Sequence, residues 1–203
     1  MSGSRRSFVL CAAGVGLGFA LDACSGSGSA PPPSPYSGDL RTVALAAALE
    51  NQALSAYRAV ETALRAGRFG PAIPALATFV RTALDHHTRH AATWNAILRD
   101  ARKPVVSGAP LSGHARLMDA IAAASSVDEI VAAVRRLENQ AAQTHTAAAG
   151  SLAGPGPAVS AAATIAPVEA MHAAALGYLL SGRSGVTSFL GTAEAVPMTE
   201  LTA

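Results

Sequence analysis

The pentapeptide Leu49-Glu50-Asn51-Gln52-Ala53 returns unchanged as Leu137-Glu138-Asn139-Gln140-Ala141. A second pair keeps the same order: HTRHAA at His87–Ala92 follows the first copy, and EAMHAA at Glu169–Ala174 follows the second. A Glu segment and then an x-x-His segment, written twice, defines a duplicated unit. What that unit is depends on whether each segment lies on a helix.

The flanking residues say that each does. Asp39 can cap a helix running through Leu45, Leu49, Tyr57, Val60 and Leu64 to the stop signals Gly67 and Gly70. Its apolar residues recur three and four apart, the period of a one-sided helix. A second helix is expected from about Pro74 through Leu76, Phe79, Val80, Leu84, Trp94, Ile97 and Leu98, ending before Pro104. The short link between them makes an antiparallel pair. Residues 103–113 read as loop, and 114–124 as a short helix with Leu117, Met118 and Ile121 inward and His114 exposed or capping. Ser126 followed three later by Glu129 is a capping box that opens a third helix through Ile130, Val131, Val134 and Leu137 to about Leu152. After the breaker AGPGP, a fourth helix is expected from about Ala158 to Leu180. Pro167 either bends that helix or stands in the first turn of one that starts late. The Gly/Ser/Thr-rich residues 182–203 wrap the surface or stay loose. Two short-linked hairpins joined by a long crossover make an all-α, ferritin-like four-helix bundle. An up-down-up-down bundle with a decorated loop would carry the same helices.

Composition agrees. The 203 residues are 50% hydrophobic and only 4% aromatic, with abundant alanine, which favours helices packed through small side chains over a β-sandwich. The net charge is +2 and the basic residues are dispersed, so nucleic-acid binding has no electrostatic footprint. The first 23 residues read as an export signal: Arg5-Arg6 before Phe8 resembles a twin-arginine signal, and the apolar run 11–21 is too short for a mature membrane span. Leu21-Asp22-Ala23-Cys24 resembles a bacterial lipobox, which would make Cys24 the lipidated first residue, although Asp22 is uncommon there. An ordinary cleaved signal with an incidental Cys24 is the other reading. Residues 24–38 are Gly/Ser- and then Pro-rich and read as a tether, followed by the bundle over 39–181. With Cys11 in the signal and Cys24 lipidated, the mature domain has no thiol for a disulfide or thiolate site. The expected location is outside the cytoplasm, anchored to a membrane through Cys24.

The repeat carries the chemistry. Glu50 and Glu138 stand in apolar helical settings, while His87 with His90 and Glu169 with His172 are i, i+3 pairs that share a helical face. A Glu from each of two helices and a Glu-x-x-His set from each of the others is the ligand plan of di-iron carboxylate bundles. Iron and manganese suit such carboxylate and imidazole donors, and cations offset the cost of burying acids together. Tyr57 and His145 stand seven residues after Glu50 and Glu138, two turns along the same faces. Tyr57 either bonds a buried carboxylate or sits at a rim; His145 is a supporting residue or an extra ligand. His86 would pair with His90 at i, i+4 only if His87 pointed elsewhere.

The stretch Ala48–Ala53 to Tyr57, together with Ile165-Ala166-Pro167-Val168-Glu169-Ala170-Met171-His172, resembles exported bacterial ferritin-like domains related to the desiccation-associated ferritin-like family. The resemblance covers about residues 36–180. It implies Glu50 and Glu138 as terminal carboxylate ligands, Glu169 as a bridging carboxylate, and His90 and His172 as imidazole ligands. His87 stands where the family pattern has a second bridging Glu. An imidazole cannot bridge as a carboxylate does, so two ions, one ion, an unequal pair or a site without metal all stay open. The implied cofactor is iron or manganese, with possible ferroxidase-like activity; a scaffold with a degenerate site at the cell envelope is the alternative. A lipid tether on every subunit disfavours a storage cage and favours a monomer or homodimer.

Overall fold

The computed structural model describes residues 34–71, 73–153, 156–181 and 190–203. The arginine pair, Cys24 and most of the tether lie outside them. Five α-helices form, with no named strand among the described residues: α1 (Asp39–Arg65), α2 (Pro74–Asp100), α3 (His114–Ala123), α4 (Val127–Ser151) and α5 (Pro157–Ser181), then a 3₁₀ turn at Met198–Glu200.

Local chemistry sets the ends. Asp39 is the first helical residue of α1 and not its cap; Gly38 holds the cap position at φ 54°, and the Asp39 carboxylate instead accepts from the Ala153 N–H at 2.9 Å. The α1 C-terminus closes as expected at Gly67 (φ 66°), with Arg68 N–H donating to Ala63 O and Gly67 N–H to Leu64 O, both at 3.1 Å. Pro74 opens α2, where its missing N–H costs nothing. Ser126 caps α4 by accepting from Glu129 N–H at 3.2 Å, but Glu129 reaches back to the N–H and hydroxyl of Ser125 and not to Ser126. Pro167 lies inside α5, well past its first turn. It is exposed, as is Ala163, so the carbonyl that loses its helical partner is left to water.

The helices pair as α1 with α2 and α4 with α5, and across the bundle α1 lies on α4 and α2 on α5. The crossover therefore joins diagonal helices, which selects the ferritin-like arrangement over the up-down-up-down one. Residues Val43–Leu49 of α1 are buried on every side, mostly as alanine, so neighbouring helices approach closely. The core falls into two apolar clusters. One gathers Val43–Leu49 with Trp94, Leu98, Leu152 and Ile165; the other gathers Tyr57, Val60, Val80, Ile130, Val134, Leu137 and Leu176. On each long helix the residues between the two clusters are the polar ones of the repeat.

The ends of the domain are more ordered than composition suggests. Tyr36, assigned above to the tether, is 6% exposed in the first cluster and donates its hydroxyl to Pro104 O at 3.1 Å. The C-terminal stretch lies against the crossover through a Leu111–Leu201 bridge and against α4 through Val196 N–H to Thr144 Oγ1 at 2.8 Å.

Candidate metal centre

Between the two apolar clusters, Glu50, His87, Glu138, His145 and Glu169 are buried to 1% exposure or less, and His172 to 5%. Each comes from the middle of its helix, where backbone hydrogen bonding is complete and only the side chain can meet the neighbours. The side chains of Glu50, His87, His90, Glu138, Glu169 and His172 lie together in this layer.

Two groups of ligand atoms form, within each of which the atoms lie no more than 4.8 Å apart: Glu50, His87, His90 and Glu169, and His87, Glu138, Glu169 and His172. They share His87 and Glu169. The contacts are direct. His87 Nδ1 is 2.7 Å from Glu50 Oε2 and its Nε2 is 3.2 Å from Glu138 Oε1. His90 Nδ1 is 2.7 Å from Glu169 Oε1, and His172 Nδ1 is 3.1 Å from Glu169 Oε2 and 3.4 Å from Glu138 Oε1.

Supporting groups stand one hydrogen bond behind the carboxylates. Tyr57 donates its hydroxyl to Glu138 Oε1, and its ring stacks on His87. His145 Nε2 is 2.8 Å from Glu50 Oε1, and its ring stacks on Trp94 at 5.5 Å between centroids. His145 belongs to neither ligand group, so it supports Glu50 as expected of the milder reading. The condition on which His86 would pair with His90, that His87 point elsewhere, is not met. His87 points into the bundle while His86, at its edge, puts Nδ1 2.9 Å from His172 Nε2 and stacks on that ring. Its contact depends on the separation of α2 and α5, a quantity that helical periodicity does not contain.

Electrostatics follow from the crowding. Burial by itself would raise the Glu50 and Glu138 carboxyls, but the imidazoles beside them outweigh it and hold both below the usual range. Burial would lower His87, His90 and His172, yet the carboxylates around them win: His87 is well above its ordinary value, and His90 and His172 are raised to about 9. Tyr57 is pushed well up, by burial first and the Glu138 charge second. His86 moves the other way, lowered by burial and by His172 and His90. Glu50 and Glu138 on one side and His87, His90 and His172 on the other thus favour one another's charged forms.

The residues also suit a metal. Carboxylate oxygens and imidazole nitrogens are the donors iron and manganese take, and Glu138 Oε2 is buried with no hydrogen-bond partner among the described residues, leaving lone pairs that a cation would satisfy. An all-α bundle of two diagonal-linked hairpins, with a buried Glu/His layer that could hold a metal ion, is the ferritin-like architecture. The chain belongs to the ferritin-like domain family, whose pattern it matches over residues 38–182. No curated protein and no solved structure matches it.

Proposed function

We propose that the protein is an exported, membrane-tethered member of this family that binds iron or manganese at the Glu/His layer and has oxidase-like activity there. The observation that carries the metal reading is the convergence of Glu50, Glu138 and Glu169 with His87, His90 and His172 from four helices into two ligand groups sharing Glu169. Glu50 and His90 would serve one ion, Glu138 and His172 the other, and Glu169 both. A bound ion of either metal would supply one-electron redox chemistry toward oxygen or peroxide. The chain's own contribution is orientation: His145 fixes Glu50, Tyr57 fixes Glu138, and the apolar clusters above and below exclude water. The twin-arginine-like signal and Cys24 support delivery of a folded, tethered monomer or dimer outside the cytoplasm, and the VEAxH segment supports kinship with the desiccation-associated branch.

One observation favours a second reading, a scaffold that has lost its metal. His87 links Glu50 to Glu138 through both ring nitrogens, so it occupies two carboxylates that metal would need. The decisive experiment is to add Fe(II) or Mn(II) anaerobically to the domain from Ser34 onward, desalt it and count ions by elemental analysis. Two ions per chain, both lost in Glu169→Ala, are expected. No ion in a folded helical protein would establish the scaffold. Cys24→Ala should move the protein from the membrane to the soluble fraction; unchanged membrane recovery would remove lipidation.

A further inference from the structure

The Asn-Gln half of the repeat is not used by the metal layer. Glu50 and Gln52 are separated by roughly 200° around α1, and so are Glu138 and Gln140 around α4, so the glutamines face away from the site. Both line a cavity of about 370 Å³ on the outer side of α1 and α4. Its remaining walls are α3 and the C-terminal stretch 194–200, and both are held in place. Asn139 of the second repeat copy and Gln143 donate to Glu194 Oε2, Gln143 Oε1 accepts from Glu194 N–H at 2.9 Å, and Ser112 N–H donates to Glu200 O at 3.0 Å.

The polar groups of this cavity are asymmetric in a way that selects a ligand. Each of its two acids is held through Oε2: Glu194 as above, and Glu200 by the Ser112 hydroxyl and the Gly113 N–H. Its two bases are not. Arg116 from α3 and Arg136 from α4 also line the cavity, and neither has an ion pair or hydrogen bond among the described residues. Gln52, 7% exposed, is likewise without a side-chain partner. With both acids held in place by neighbours, the guanidinium and amide donors without a protein partner offer an incoming acceptor its contacts. Leu111, Leu117, Leu137 and Val196 supply apolar wall beside these donors. The volume is that of about a dozen waters, room for an acid of about ten non-hydrogen atoms.

We infer that this cavity binds a small organic carboxylate, its carboxyl taken by Arg116 and Arg136 with Gln52 and its apolar body against Leu117 and Leu137. The site is independent of the metal reading, since it uses none of those residues. It also gives a role to the recurring glutamines and to the ordered C-terminal stretch.

The test is a titration of the metal-free protein with hexanoate, followed by amide NMR, with inorganic phosphate and hexanol as charge-only and body-only probes. Hexanoate should shift the signals of Ala133, Leu137 and Val196, and phosphate and hexanol should bind at least tenfold more weakly. Arg136→Gln and Arg116→Gln should each weaken hexanoate about tenfold; both side chains are exposed, so the variants should fold. Arg99→Gln, an exposed arginine outside the cavity, should leave hexanoate binding unchanged. Absence of shifts at the lining residues, equal binding of phosphate, or unchanged affinity in both cavity-arginine variants would each overturn the proposal.

Discussion

An imidazole that donates to two carboxylates from its two nitrogens carries two protons, and the position of His87 between Glu50 and Glu138, which raises its pKa, favours that form. His90 and His172, raised to about 9, are held the same way by the acids around them. For a group whose folded pKa is raised, the stabilisation is complete below the unfolded value near 6.5 and is lost as pH rises through the folded one. The metal-free domain should therefore lose stability between about pH 6.5 and 9, while metal, which replaces those protons as the counter-charge, should flatten the loss. Urea denaturation across that range, with and without Mn(II), reads both effects; identical slopes would show that metal does not replace the protons. His87→Glu restores the carboxylate that the family pattern carries. It should lower metal-free stability, because a fourth acid would face fewer cations, and raise metal affinity by about tenfold or more. The grouping of the Glu and His side chains was legible because spacing along a helix fixes which side chains share a face. The partners of Tyr57, His145 and His86 were not, because each lies on another helix at a distance that only packing decides.

At the scale of the helix, the two helices of the first hairpin end alike but with different residues. α1 closes on Gly67, whereas α2 closes with Arg102 at φ 56°, Lys103 N–H reaching Leu98 O and Arg102 N–H reaching Arg99 O, both at 2.8 Å. The motif is the same, yet a side chain in the left-handed region costs roughly 1 kcal/mol that glycine does not. Arg102→Gly should stabilise the domain by about 0.5–1 kcal/mol, since Arg102 is exposed and without a salt bridge. A lower denaturation midpoint would mean that its side chain contributes something the backbone argument omits. Helix ends marked by Gly67, Pro74 and Ser126 could be read directly, because those residues act on their own backbone. The Asp39 cap misled for the opposite reason: its side chain found a partner 114 residues away, at Ala153.

For the molecule as a whole, the duplicated unit does more than repeat a ligand. Asn51 donates to Val106 O and Gly108 O at 2.9 Å and pins the crossover, while Asn139, its counterpart, holds Glu194 of the C-terminal stretch. Each hairpin thus fastens the irregular chain that passes over it. Composition could not show this, because Gly- and Pro-rich segments look the same whether anchored or free. The same limit concealed Tyr36, whose neighbours read as tether. Its ring completes the cluster around Val43–Leu49, and its hydroxyl ties the chain ahead of α1 to the start of the crossover at Pro104. Losing a buried aromatic ring and one hydrogen bond should cost about 2–3 kcal/mol, so Tyr36→Ala should lower the denaturation midpoint without changing the slope. Tyr36→Phe should recover most of that, leaving a deficit of about 1 kcal/mol for the bond to Pro104. If Tyr36→Ala unfolds at the wild-type midpoint, the folded domain begins at α1 and the preceding residues are tether after all.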